Sequence, residues 1–260
     1  MSIELVRTTL GVAGPRLTLL HGLFGQGKNW TTVAKELSSD FQVTLVDLPD
    51  HGRSPWTTAV SYPDMAAAVA TLLAEQEPGT VVGHSMGGKV AMVLALFHPE
   101  LVARLCVVDI APVSYAGLSS FATYVTGMRR LDLKHLGNRA EADAALAPAV
   151  PDGAVRSFLL QNLRREGPAG WRWQMNLDLL GDHLDELADW PRVDAAPYEG
   201  PVLWVAGSRS DYIRPDHGAV MRALFPRAQL VTVKGAGHWV HAEQPKVFVS
   251  ALRRFGAASA

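Results

Sequence analysis

Apolar positions along the chain follow two rhythms. Short, nearly unbroken apolar runs at Leu17 to Leu20, Phe41 to Asp47, Thr80 to Gly83 and Leu105 to Ile110 read as strands. Between them lie stretches with helical spacing, from about Asn29 to Ser38, Tyr62 to Glu77 and Gly87 to His98. Pro78-Gly79 and Pro99 stop the last two. Strands without polar alternation are buried on both faces, so a parallel sheet covered by helices is expected. The first ten residues predict one or two antiparallel strands at its edge.

The rhythm changes from about Pro112 to Pro197. No strand pattern is visible there, and helical spacing recurs over Glu141 to Leu146, Ala154 to Arg165 and Leu177 to Asp189. Strand-helix alternation resumes with Val202 to Val205, then Leu230 to Val233, then a helix from about Pro245 to Phe255. The expected architecture is one α/β unit. Residues 1–112 and 198–260 form its core, and residues 113–197 are a helical cap insertion. Such sheets bind ligands beyond the carboxyl ends of their strands. The insertion leaves and re-enters at those ends.

Composition narrows the function classes. Lys+Arg 24 against Asp+Glu 25 gives a net charge of -1 over 260 residues. That balance carries no electrostatic footprint for nucleic acid or an anionic membrane. No apolar run approaches the ~18 residues of a membrane span. The segment Met1-Ser2-Ile3-Glu4 lacks the basic start of a signal peptide. The single cysteine, Cys106, rules out an internal disulfide and reads as a small buried hydrophobe. A soluble cytoplasmic protein is expected.

The most informative segment is Val81-Val82-Gly83-His84-Ser85-Met86-Gly87-Gly88. Its Gly-x-Ser-x-Gly core follows a predicted strand and opens a predicted helix, the setting in which this motif exposes a nucleophile. The turn is so sharp that only small residues fit two positions before and after the serine. The hydroxyl then stands at a helix N-terminus, where partial positive charge favours an anion.

A serine hydroxyl needs a base to take its proton. Among nine histidines, His238 in Gly235-Ala236-Gly237-His238-Trp239 falls between the last strand and the last helix, within reach of Ser85. His241 is the second choice for that role. The acid has two candidates. Asp109 ends the strand after the nucleophile helix. Asp211 lies in the loop after the penultimate strand, but one position beyond Ser210, where the acid usually sits. Asp109 is favoured, because a carboxylate among apolar strand residues needs a partner such as His238. Either would fix the imidazole tautomer. The backbone N–H groups of Leu23, in His21-Gly22-Leu23-Phe24-Gly25, and of Met86 are assigned to the oxyanion hole.

The same loop runs on as Gly22 to Asn29 and nearly matches a phosphate-binding loop, ending Gly27-Lys28. Asn29 replaces the hydroxyl residue that holds Mg²⁺, and no acidic second motif follows. Nucleotide binding is therefore not expected.

These residues together resemble the α/β-hydrolase superfamily, in the chain order Ser, Asp, His. The likeness is closest to the small bacterial esterases of the YbfF type and the related ABHD11-type hydrolases. The segments that carry it are His21 to Gly25, His51-Gly52-Arg53-Ser54, Gly83 to Lys89, Val108-Asp109-Ile110-Ala111-Pro112 and Gly237 to Ala242. Members of that branch are similar in carrying serine where the usual acid sits, which favours Asp109. Here Asp211 is present as well. The resemblance implies carboxylesterase activity on small to medium acyl esters, with some action on acyl thioesters, no cofactor and no metal.

The expected substrate is a small-molecule ester or thioester. Phe24, His84, Tyr115, Trp171 and Trp239 are candidate pocket residues, and the aromatic residues of the insertion argue for an apolar acyl or alcohol group. Arg129-Arg130 and Arg164-Arg165 read as solvated faces, with a phosphate-bearing substrate as the other use of one pair. Serine-triad chemistry on the same fold leaves carbon–carbon bond hydrolases, lactonases and perhydrolases as rivals. A hydrolase-fold ligand-binding protein with little turnover is a rival of another class.

Overall fold

The computed structural model describes residues 3–115, 119–167 and 170–257. Met1 and Ser2, which open the segment read for a leader, lie outside them. The chain begins with β1 (Arg7–Leu10), β2 (Arg16–Leu20), α1 (Thr31–Leu37), β3 (Gln42–Val46) and α2 (Tyr62–Leu73). Then come β4 (Gly79–His84), α3 (Met86–Phe97) and β5 (Val102–Val108). A second group follows: α4 (Ser119–Arg129), α5 (Arg139–Leu146), α6 (Gly153–Leu160), β6 (Leu163–Arg165), β7 (Trp171–Trp173), α7 (Leu177–Asp182) and α8 (Leu184–Ala188). The chain closes with β8 (Val202–Gly207), α9 (Gly218–Leu224), β9 (Ala228–Val233), α10 (Val240–Glu243) and α11 (Pro245–Ala257).

One sheet takes seven strands in the order β1-β3-β2-β4-β5-β8-β9. All neighbours are parallel except β1, which pairs antiparallel with β3 at the edge. Successive side chains on a strand face opposite ways, and the core divides accordingly. Val81, Leu105, Val107 and Trp204 pack on one side with α2 and α3. Val82, Cys106, Leu203 and Val205 pack on the other with α1 and α11. Cys106 is fully buried, and burial pushes its thiol pKa up.

Two expectations about the insertion change. Ala154 to Arg165 is not one helix: α6 ends at Leu160, and the chain turns into an antiparallel hairpin of β6 with β7. Strands of three residues are too short to show period-2 alternation, and Leu163 falls on the helical spacing of α6. Leu177 to Asp189 divides at His183 into α7 and α8. Among the described residues no helix is long and apolar enough to cross a membrane.

Candidate active site

Ser85 sits between β4 and α3 with φ 53° and ψ -120°, backbone that a non-glycine residue adopts only under constraint. Its N–H donates to the Val108 carbonyl at 3.0 Å, tying the elbow to the next strand. The flanking glycines leave no room for a side chain. A Cβ on Gly83 would lie 2.1 Å from the Gly87 carbonyl oxygen, and one on Gly87 would lie 2.4 Å from the His21 oxygen.

The structure brings His238 and Asp109 together. Asp109 follows β5, is fully buried, and has φ 52°. Its Oδ1 accepts the Gly207 N–H at 2.9 Å. Its Oδ2 accepts from His238 Nδ1 at 2.8 Å and from the Ser210 hydroxyl. Three donors are what a carboxylate in an apolar interior requires. Because Nδ1 carries the proton given to Asp109, Nε2 is left as the basic nitrogen. Asp211 is exposed and does not join this group; the neighbouring Ser210 reaches Asp109 instead.

Three further contacts hold the His238 ring and its loop. Tyr212 stacks on the ring, with centroids 3.9 Å apart and planes 18° apart. The Tyr115 hydroxyl fixes Tyr212 by donating to its carbonyl at 2.5 Å while accepting the Ala111 N–H at 2.8 Å. His84 donates Nε2–H to the His238 carbonyl at 2.9 Å. Burial, and next the neighbouring His238 and His241, hold the His84 ring far below the ordinary imidazole value, so it stays neutral.

Leu23 and Met86 flank Ser85, and the N–H groups of both lack a protein acceptor among the described residues. The Leu23 loop is held from two sides. The Phe24 N–H donates to His51 Nε2 at 3.2 Å, and the Phe24 carbonyl accepts from Asn162 Nδ2 at 2.6 Å. His51 gives its other ring proton to the Pro49 carbonyl at 2.8 Å. Phe24 itself has φ 60°. Asn162, just after α6, therefore connects the insertion to the loop beside Ser85.

Two chambers meet at Ser85, which lines both together with Leu23 and Phe121. The larger, about 160 Å³, is walled by Tyr62, Met86, Ile110, Tyr115, Leu184 and Leu187 among others, and is mostly apolar. Lys89 enters it from α3. Its Nζ donates to the Ala188 and Asp189 carbonyls, both at 2.7 Å, and faces the Tyr115 ring at 5.0 Å. Burial pulls its pKa down to about 7 against the opposing pull of Asp189. The smaller chamber, about 30 Å³, holds His84, His238 and Trp239.

Of the expected pocket residues, Tyr115, His84 and Trp239 line these chambers; Phe24 and Trp171 do not. The Phe24 ring is fully buried behind the loop, 6.1 Å from the Phe121 ring. Trp171 belongs to the β6–β7 hairpin, donates Nε1–H to the Leu136 carbonyl at 2.8 Å, and lies under the Arg139 guanidinium. It packs the insertion together. Sequence reading missed Tyr212, Tyr62, Lys89 and Asn162. Only Lys89 had a local signal, a lone cation in an otherwise apolar helix.

The sequence matches the α/β-hydrolase fold family over residues 15–245. It is 39% identical over 249 residues to the mouse sn-1-specific diacylglycerol lipase ABHD11, covering 93% of this chain and 80% of that protein. It is 32% identical over 241 residues to the Escherichia coli esterase YbfF, covering 92% of each. A solved marine microorganism esterase superposes with a TM-score of 0.94 at 35% identity, covering 98% of this chain and all of the other. The chain belongs to the α/β-hydrolase family.

Proposed function

We propose that the protein is a cofactor-independent serine carboxylesterase of small to medium acyl esters, with acyl thioesters as a secondary class. The observation that carries this reading is the buried Asp109 carboxylate bonded to His238 Nδ1 beside a strained Ser85. That arrangement leaves Nε2 to take the Ser85 proton. Ser85 Oγ then attacks the ester carbonyl, and the Leu23 and Met86 N–H groups receive the developing oxyanion. His238 passes its proton to the leaving alcohol, giving an acyl-enzyme. Water, activated by the same Nε2, releases the acid and restores the serine.

Several further features support this assignment. The apolar chamber suits an acyl chain, and its volume is small beside the roughly 300–1,000 Å³ of drug-sized ligand sites. The relatives named above are a lipase and esterases, and an ester substrate follows for this chain by analogy. Residues 113–197 act as the cap: Tyr115, Phe121, Leu184 and Leu187 come from them to wall the chamber. Work in the cytoplasm is the setting that the lone thiol suits.

A fluorophosphonate probe tests the reading. Intact mass should show one adduct on wild type and none on Ser85→Ala, with turnover of a short acyl ester lost in the same variant. An unlabelled, folded wild type would overturn the mechanism and favour a ligand-binding role.

A further inference from the structure

The near phosphate-binding segment Gly22 to Asn29 has two sides. Gly22, Leu23, Gly25 and Asn29 face the chambers around Ser85. Gln26, Gly27 and Lys28 face away, into a separate cavity of about 360 Å³ between the edge of the sheet and the β6–β7 hairpin. Lys28, Arg164, Arg53 and Arg7 line that cavity, against one carboxylate, Asp47.

The carboxylate is already engaged. Asp47 Oδ1 accepts the Gly27 N–H at 2.6 Å, and Oδ2 accepts the Arg53 N–H at 2.9 Å, with the Arg53 side chain 3.9 Å away. Among the described residues, neither Lys28 nor Arg164 forms an ion pair with an acid. Both instead reach the Gln161 carbonyl oxygen, at 3.4 and 2.6 Å, so their nitrogens stand close to one another. Arg139 adds a third cation, donating to the Leu160 and Leu163 carbonyls at 2.8 and 2.5 Å. The Leu160 and Gln161 carbonyls belong to the C-terminal end of α6, and the Leu163 carbonyl opens β6. A helix end supplies about half a negative charge, and Asp47 attracts Lys28 and Arg164 from across the cavity, which still leaves an excess of positive charge around the Gln161 carbonyl. Burial first, and the neighbouring guanidiniums next, lower the proton affinity of Lys28 and Arg164 alike.

Polar groups complete the lining. Arg164 Nη2 lies 3.4 Å from Gln26 Oε1. Gln174 also lines the cavity, and its buried Oε1 has no donor among the described residues. Cations held this close repel one another, and an anion between them removes that cost. A phosphate dianion supplies both the charge and the acceptors that guanidinium, ammonium and amide groups seek.

We propose that this cavity is an anion site for a phosphate group, built from Lys28, Arg164 and Gln174 on the far side of the Leu23 loop. The segment thus holds phosphate by side chains, not as a nucleotide-binding loop, since the Gly27 N–H is spent on Asp47.

Calorimetry with inorganic phosphate on the full chain tests the site without reference to turnover. Wild type should bind saturably. Arg164→Gln and Lys28→Gln should each weaken binding at least about tenfold, while Arg165→Gln, which removes the same charge from an exposed neighbour, should stay within about twofold. Lys28 makes one long hydrogen bond, so Lys28→Gln keeps the test open if Arg164→Gln fails to fold. No saturable binding to wild type, or equal weakening by Arg165→Gln, would overturn the proposal.

A second arm finds the source of the phosphate and rests on the esterase reading. If the substrate carries it, Arg164→Gln should raise KM for acetyl-coenzyme A but not for the same acetyl group on N-acetylcysteamine. If it is a free anion, both thioesters should respond alike while the calorimetric loss persists.

Discussion

Asp109 and Asp211 are chemically identical side chains, both placed beyond strand ends, and only their surroundings separate them. Asp109 is fully buried with three donors, one of them His238 Nδ1–H; Asp211 is exposed. A carboxylate that orients a catalytic imidazole and meets the imidazolium charge as it forms is expected to carry a large share of the rate. Asp109→Asn should therefore lower kcat on a short acyl ester by on the order of 10³–10⁴-fold. Asp211→Asn should change it by no more than about twofold, as exposed substitutions usually do. Steady-state kinetics on the two variants gives the comparison, and the reverse order would transfer the role to Asp211. The sequence made both carboxylates visible. It could not show that Ser210, at the position usually held by the acid, hydrogen-bonds to Asp109.

At the scale of elements, the β4–α3 elbow was legible because its steric demand is local. Gly83 and Gly87 lie within two residues of Ser85, and the atoms that exclude a Cβ belong to the turn itself and to the adjacent β2 end. Gly87→Ala should place a methyl group against the His21 and Leu20 carbonyls at 2.4 and 2.7 Å. Relief requires α3 or the end of β2 to shift. We expect a loss of roughly 1–3 kcal/mol, as for other overpacked sites, and loss of most fluorophosphonate labelling, measured by urea unfolding and by intact mass. The insertion was legible only as helical. Its short hairpin and the Asn162 link to the Phe24 carbonyl left no pattern in the sequence, because three-residue strands and single long-range hydrogen bonds have no period.

For the whole molecule, buried histidines set the response to acid. His21, His51, His84 and His241 are buried, and burial holds each ring below its ordinary value, His21 and His241 at about 3. In the unfolded chain these rings titrate near 6.5. Between that value and 3 the unfolded chain binds protons that the folded protein refuses. Their contribution to stability is fully present above about pH 6.5 and is lost as pH falls toward the folded values. Each such ring contributes a slope of about 1.4 kcal/mol per pH unit. The urea midpoint should fall steeply between about pH 6.5 and 4.5. His241→Phe should make that fall shallower, since the ring already stacks on Trp30 at 4.1 Å and its Nδ1 has no partner among the described residues. An unchanged slope in the variant would contradict this account.

The sequence by itself determined the parallel sheet, the sharp turn that carries Ser85 and the loop that carries His238. Each depends on features contained within a few consecutive residues: unbroken apolar runs, glycines at fixed offsets, a histidine between a strand and a helix. Tertiary structure alone decided which carboxylate meets His238, which aromatic rings wall the chamber, and that Lys28 and Arg164 share one cavity. Those pairings join residues about a hundred or more positions apart. They are set by the order of the strands in the sheet and by how the insertion packs across their carboxyl ends, relations that no local pattern of side chains encodes.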